Sequence, residues 1–523
     1  MSAKRANATA KQPGSVLGAR FAANLKTMKS TQNQQSTQNK PGAQALQNAK
    51  SPKSGSNLLD KLFQLRQRGS TVPREIRGGV VTFVAMAYIV ILNPSILSAA
   101  IPADSNITTE GIAAGTALVA GVMTIVMGLV ANFPLAMAAG MGLNATVSYT
   151  LCLALGLTYQ EAMGLIFWEG IIILLLVLSG FREAVFRAVP RQLKAAISVG
   201  IGLFIAFVGL LNAGIIRAGS TVVQLGIDGS LAGWPALVFV IGLILMAVLY
   251  VRKVNGAILI SIAVATVIAF IVQAFAHLPL LSDDNPTGWG TSIPEFSGSI
   301  VSLPDFSTLL QVDFFGAFSK LGWLAAVLII FSLMLADFFD TMGTMVGVGA
   351  RGNLLDENGN PPRMRSILVI DSLAAVTGGL GGVSSNTSYV ESTSGVAEGA
   401  RTGLAAVTTG VLFLLCTFLA PLASLVPTEA ASTALVFVGF LMMLQVTDID
   451  WKDPEFALPA FLTIVLMPFA YSITVGIGAG FVFYLVVRIA KGKAAKTHPL
   501  IWIMSLLFLV YFALGPIQDL FGV

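Results

Sequence analysis

Charge is scarce in this chain: Asp, Glu, Lys and Arg make up 11% of its 523 residues, whereas globular domains average about 25%. With 55% hydrophobic residues and many long apolar runs, the balance identifies a polytopic helical membrane protein, because lipid-exposed backbone must satisfy its own N–H and C=O groups. Histidine and cysteine are nearly absent, at two each. No histidine spacing suits a metal, and Cys152 and Cys416 lie inside apolar runs, where they read as small packing residues without a disulfide or metal role. No cofactor is expected. The chain also lacks a P-loop and a GxSxG elbow, which leaves an ATP-driven pump or a soluble-type hydrolase without support.

The charge that exists is unevenly placed. Residues 1–77 hold 14 of the 31 Lys and Arg against only Asp60 and Glu75. Residues 1–56, rich in Gln, Asn, Ser, Lys, Ala and Gly and without a signal-peptide core, read as a disordered basic tail. The positive-inside rule makes this a cytoplasmic tail that sets orientation, in preference to a nucleic-acid contact. Leu58 to Arg68 has the pattern of a short amphipathic helix on the membrane surface.

Apolar segments follow near 79–101, 112–132, 134–156, 161–180, 190–214, 233–251, 255–277, 321–349, 363–381, 384–400, 402–424, 429–448, 454–470, 471–490 and 499–515. The basic loops fall after even-numbered segments: Arg182, Arg187, Arg191 and Lys194; Arg252 and Lys253; Arg351, Arg363 and Arg365; Arg401; Lys491, Lys493 and Lys496. The loop at 278–320 instead carries Asp283, Asp284, Glu295, Asp305 and Asp313 against Lys320. Fourteen spans with a cytoplasmic N-terminus satisfy this pattern, and the fifteenth segment leaves the C-terminus open.

Against this background three acids stand out. Asp337 and Asp340 lie in Phe331–Gly349, inside an apolar run, and Glu391 lies in the tenth segment. Each ionisable group at membrane depth costs about 2.5 to 3.5 kcal/mol, so it needs a partner or a task. At i, i+3 the two aspartates share one helical face. Desolvation and mutual repulsion work against all three being ionised at once, and no Lys or Arg lies equally deep. A group that loads a proton with its substrate and releases it on the other side is what a proton-coupled carrier requires, and Asp340, Asp337 and Glu391 are the candidates. The plain alternative is a buried structural pair beside a broken helix. Glu169, in the fourth segment, reads as a structural acid, and Asn93–Pro94 as a helix break.

Two segments break the pattern of plain apolar helices. Pro134–Thr150 (PLAMAAGMGLNATVSYT) and Gly378–Gly403 (GGLGGVSSNTSYVESTSGVAEGARTG) are crowded with small and hydroxyl residues, and each places an asparagine near a tyrosine. Such segments suit a chain that unwinds at the membrane centre and offers backbone groups to a ligand. One is third in the first seven segments and the other third in the second seven. Seven is odd, so two such halves insert upside down relative to each other, and matching interrupted segments point to a transport site. Close helix packing explains some of the glycines, but not Asn386, Thr387, Ser388, Tyr389 and Glu391 together. A carboxylate accepts two N–H bonds from a planar heterocycle. Tyr389, Phe338 and Phe339 lie near enough in sequence to stack on such a ring, although the two phenylalanines read more simply as packing residues.

The stretches TVPREIRGGVVTFVAMAYIVILNPSIL (71–97), PLAMAAGMGLNATVSYT (134–150), ADFFDTMGTMVGVG (336–349) and SSNTSYVESTSGVAEGARTGLAAVTTG (384–410) resemble the AzgA-like branch of the nucleobase cation symporter type 2 group, the adenine, guanine and hypoxanthine permeases. The resemblance runs from about residue 57 to the end. It implies an all-α fold of 14 spans in a 7+7 inverted repeat, with short strands in spans 3 and 10. It also implies core domains at 79–180 and 321–424 and gate domains at 190–277 and 429–490. The charges themselves make 278–320 an acidic extracellular loop, and the C-terminal basic loop and extra apolar segment at 491–523 depart from the fourteen-span plan. Carried over by position, Asp337 and Glu391 bind a purine, Asp340 serves proton coupling and positioning, and Asn144 supports the site. A homodimer through the gate and a plasma-membrane location follow from the same likeness. The competing readings are a pyrimidine, xanthine or other small-solute carrier on this fold, a passive channel, and an intramembrane aspartyl protease.

Overall fold

The computed structural model describes residues 58–513 except 103–104, 180–188, 220, 283, 291, 296–299 and 358–359. The expected tail at 1–56, the loop cations Arg182 and Arg187, and the end of the 499–515 segment lie outside the described residues. The first helix, α1 (Leu58–Phe63), is shorter than expected. It stops where Gln64 takes a positive φ of 58°, and Phe63 and Leu65 then bury against Leu404. Arg68 closes the junction by donating to the carbonyls of Asn132 (2.7 Å) and Arg401 (3.1 Å).

The first apolar stretch forms α2 (Val72–Met86) and α3 (Ile89–Leu97). The expected break at Asn93–Pro94 falls earlier, at Ala87–Tyr88, and Pro94 lies within α3. The cause is local: the turn at 87–91 closes with Val90 and Ile91 donating three residues back, at 3.1 Å each. Asn93 is instead a buried cross-link, donating to Thr116 Oγ1 (2.8 Å) and the Val383 carbonyl (3.1 Å).

There follow α4 (Thr109–Val126), capped by Thr108, then β1 (Met137–Ala139), α5 (Met141–Ala145) and a wide helical turn over Thr146–Ala154. α6 (Tyr159–Leu178) opens with a capping box from Thr158 and Glu161. α7 (Arg191–Asn212) starts behind Pro190, and a hairpin of β2 (Ile216–Arg217) and β3 (Gln224–Leu225) leads to α8 (Trp234–Val251) and α9 (Ala257–Ala276). The second part runs through α10 (Gly316–Leu321), α11 (Trp323–Arg351) and α12 (Met364–Leu380) to β4 (Asn386–Ser388) and α13 (Ser392–Ala397). It continues with α14 (Gly403–Cys416), α15 (Pro421–Ser424), α16 (Thr428–Met443), α17 (Pro454–Phe469), α18 (Ile473–Ala490) and α19 (Pro499–Phe512).

Among the described residues, nine helical stretches are long and apolar enough to cross a membrane, and 403–419, 454–469 and 499–512 are shorter apolar helices. The sequence reading counts fifteen segments: beyond these twelve, 134–156 and 384–400 are not continuous helices, and 363–381 forms a helix of 17 residues, α12, short of the 18-residue span length. The last helix has 14 residues, which rise only about 21 Å against a hydrocarbon core of about 30 Å.

Glycines set how closely the helices approach. A Cβ on Gly403 would run into the Gly128 carbonyl, and one on Gly410 would stand 2.6 Å from that of Gly121, so α14 lies with its backbone against α4. Gly202 and Gly439 do the same for α7 and α16. This is small-residue packing, the mode expected where lipid removes the hydrophobic drive for helices to associate. Replacing Gly403 by valine forces these backbones apart, at a cost of about 1 to 3 kcal/mol. The melting temperature of the purified protein in detergent should fall by several degrees; an unchanged value would mean that the helices do not touch here.

Candidate substrate-binding site

The two interrupted segments meet at their breaks. β1 and β4 pair antiparallel, Met137 opposite Ser388, Ala138 opposite Thr387 and Ala139 opposite Asn386. The flanking backbone extends the pairing, with Tyr389 N–H donating to the Ala136 carbonyl (3.0 Å) and Gly140 N–H to that of Ser385 (2.9 Å). Gly140 keeps this approach close, since a Cβ there would press on Thr387 Cγ2 at 3.0 Å. Side chains fasten the cross to its neighbours: Thr124 Oγ1 exchanges hydrogen bonds with the N–H and carbonyl of Met137 (2.9 and 3.1 Å), and Tyr389 donates its hydroxyl to the Ala139 carbonyl (2.6 Å).

Beside this cross lies an open cavity of about 760 Å³ with its mouth included. Asp337, Asp340 and Thr344 of α11 line it, as do Ser388, Tyr389 and Glu391 after the second break and Gly140 to Leu143 after the first. Ile197, Ser198 and Ile201 of α7, with Val438 and Met442 of α16, form the facing wall. No Lys or Arg lines it. The first turn of α5 brings N–H groups that have no acceptor within their own helix. Tyr88, at the α2–α3 break, donates to Glu391 Oε1 at 2.7 Å, which aims that carboxylate.

Of the expected site residues, Asp337, Asp340, Glu391 and Ser388 thus come together on one cavity. Thr387, Asn386 and Asn144 are buried but do not line it. Thr387 shares a 2.8 Å hydrogen bond with Thr341. The side-chain amides of Asn144 and Asn386 are without hydrogen-bond partners among the described residues. Phe338 packs in an apolar cluster with Met137, Met334 and Met342, away from the cavity.

Two residues were missed by the sequence reading. Asp371 is fully buried in α12, and its Oδ1 accepts from Thr341 (2.7 Å) and Ser388 (3.0 Å), tying α11, α12 and β4 together. It lies in the apolar run SILVIDSLAAV, so the rule that singled out Asp337 applied to it equally. Tyr88 gave no such signal, since nothing along the chain links it to Glu391, 303 positions away. Glu169 has Asp337, Asp371 and Ser385 as neighbours, so it belongs to the acidic centre. Among the described residues no group of three His, Cys, Asp or Glu side chains is arranged to hold a metal ion.

Residues 73–483 match the profile of the Permease family (Xan_ur_permease). The chain belongs to this family. It is 40% identical over 459 residues to the adenine permease AdeP of Escherichia coli, covering 87% of this chain and 96% of that one. To the guanine/hypoxanthine permease PbuG of Bacillus subtilis it is 38% identical over 463 residues, covering 87% and 99%. Among solved structures it is similar to the transmembrane domain of a cyanobacterial bicarbonate transporter, BicA, with a TM-score of 0.55 over 78% of this chain and 97% of that one. At 15% identity that likeness speaks for the fold alone. The permease is a multi-pass membrane transporter and not an enzyme, and this sets aside the protease reading. Asp337 and Asp340 share helix α11, whereas an aspartyl protease needs its pair on facing elements.

Removing the Tyr88 hydroxyl leaves Glu391 without its donor. A hydrogen bond to a charged group contributes about 1.5 to 3 kcal/mol, so Tyr88→Phe should raise the KM of substrate uptake about tenfold or more while the protein purifies as a stable monodisperse species. Wild-type uptake kinetics in this variant would remove Tyr88 from the site.

Proposed function

We propose that this permease imports purine nucleobases, adenine, guanine and hypoxanthine among them, by proton symport. The observation that carries the reading is the cavity bounded by Asp337, Asp340 and Glu391 without a cation. Its three carboxylates, when ionised, offer acceptors and no donor, and the Ser388 proton is committed to Asp371. A planar ring whose edge carries N–H groups complements that lining, and an anion would be repelled by it. The printed names of the relatives, adenine and guanine/hypoxanthine permeases, support the purine class. In this reading Asp337 and Glu391 hold the base, Asp340 couples the proton and helps position the base, and Asn144, Asn386, Thr387 and Ser388 shape the strand cross behind it.

The proposed architecture is the 7+7 inverted repeat, with core domains (79–180 and 321–424) moving against gate domains (190–277 and 429–490). Exchanging the halves maps the packing of α4 on α14 onto that of α12 on α6, while β1–β4 and α7–α16 map onto themselves, and all four contacts are present. The cavity walls come from both proposed domains, as an elevator-like shift requires. With a cytoplasmic N-terminus in the plasma membrane, the Arg351 end of α11 and the Pro190 end of α7 lie on the cytoplasmic side in this reading. A homodimer through the gate helices completes the proposal; the apolar surfaces of α8 and α9, exposed at Ile244, Val251, Val267 and Phe275, are available for it.

Uptake of radiolabelled adenine, guanine, hypoxanthine, xanthine and uracil, with and without a protonophore, tests the reading. Purine uptake that collapses with the pH gradient is expected. Insensitivity to the protonophore would refute symport, and transport of uracil without any purine would favour the pyrimidine carrier. Glu391→Gln and Asp337→Asn should each abolish uptake in protein that remains folded in detergent; normal transport by either would exclude that residue.

A further inference from the structure

The structure assigns a second binding site, for the phosphate of an anionic phospholipid, to a pocket at the start of α19. The pocket is lined by Pro190, Tyr484, Arg488, Lys496, Thr497, His498 and Ile501 and encloses about 510 Å³, its mouth included. No carboxylate lines it. This is unlike its surroundings, where Asp453 and Glu455 take up the neighbouring cations: Lys491 reaches Asp453 at 2.6 Å, and Lys493 reaches Glu455 at 2.5 Å.

Three side chains leave donors in the pocket, those of Arg488, Lys496 and His498, while the Thr497 hydroxyl donates to the Lys493 carbonyl at 3.2 Å. Arg488 commits Nη1 to Glu455 (2.7 Å) and Nε to Thr497 Oγ1 (3.1 Å), which fixes the guanidinium plane and leaves Nη2 for an incoming oxygen. Lys496 forms no ion pair among the described residues. His498 caps α19 by accepting the Leu500 N–H on Nδ1 at 3.2 Å, so in the neutral ring the proton sits on Nε2, a donor. The N-terminus of the 14-residue α19 begins at the same place and adds its partial positive charge. A fixed fork, a free ammonium, an imidazole N–H and a helix N-terminus together suit a phosphate group.

The choice of a lipid follows from what continues beyond the pocket. α19 buries Ile501, Met504, Ser505 and Phe508 and exposes Trp502, Ile503, Leu506 and Leu509. The exposed stripe gives acyl chains a surface leading away from the charged end. Basic pockets at the end of a membrane helix are where anionic headgroups bind. The segment beyond the fourteen expected spans thus gains a role as half of a lipid site.

Delipidated full-length protein in detergent is titrated with phosphatidylglycerol, with phosphatidylcholine and with inorganic phosphate, and followed by native mass spectrometry and thermal melting. Phosphatidylglycerol should form a retained adduct and raise the melting temperature, and phosphatidylcholine should not. One surface cation is worth about fivefold in binding an anionic lipid, and a reversal of its charge about thirtyfold. Lys496→Gln should weaken phosphatidylglycerol binding about fivefold and Lys496→Glu about thirtyfold, with unchanged melting in lipid-free detergent because Lys496 is exposed. Equal binding of the two lipids, or undiminished phosphatidylglycerol binding by Lys496→Glu, would overturn the site. Stabilisation by millimolar inorganic phosphate equal to that by the lipid would overturn the lipid assignment.

Discussion

Backbone that leaves a helix inside a membrane must find hydrogen-bond partners within the protein, since lipid offers none. Here two segments do so at once, and each satisfies the other: β1 and β4 pair over three residues, and the bonds continue at Gly140–Ser385 and Ala136–Tyr389. The cavity depends on that pairing. It brings the start of α5 and the Ser388–Glu391 turn to one place, opposite the acidic face of α11, from chain positions about 250 residues apart.

The acids are held by the same logic. Asp371 is buried and would be costly alone, but it gathers the Thr341 and Ser388 hydroxyls, and Thr341 in turn meets Thr387. Glu391 has the Tyr88 hydroxyl. The residues that touch the cavity are thus backed by groups from α2–α3, α11 and α12, so the ligand-facing atoms are oriented before anything binds. Buried ionisable groups with such support mark function more often than stability.

Elsewhere the molecule uses small residues for closeness. Gly128 with Gly403, Gly121 with Gly410 and Gly202 with Gly439 let paired helices lie backbone to backbone. Gly395, one of the glycines that gave the tenth segment its unusual composition, serves this purpose, since a Cβ there would strike the Gly78 backbone; Gly378, at the end of α12, instead makes room for the Ser384 backbone where the chain turns back toward β4. Composition had merged two functions, packing and unwinding, which the structure separates residue by residue.

The sequence by itself determined the membrane class, the apolar segments, the two interruptions and the three acids, Asp337, Asp340 and Glu391, that line one cavity. These are local properties: hydropathy, helix-breaking composition, and charge where charge is expensive. It also held the signal for Asp371, which went unread. Only the tertiary structure decided that the interruptions pair with each other, that Tyr88 holds Glu391, that Asn93 is a cross-link and not a break, and that Asn144 and Asn386 stand behind the cavity wall while Ser388 faces it. Those outcomes rest on contacts between residues hundreds of positions apart, and on which way a strand residue points once its partner strand is fixed. A linear pattern carries neither.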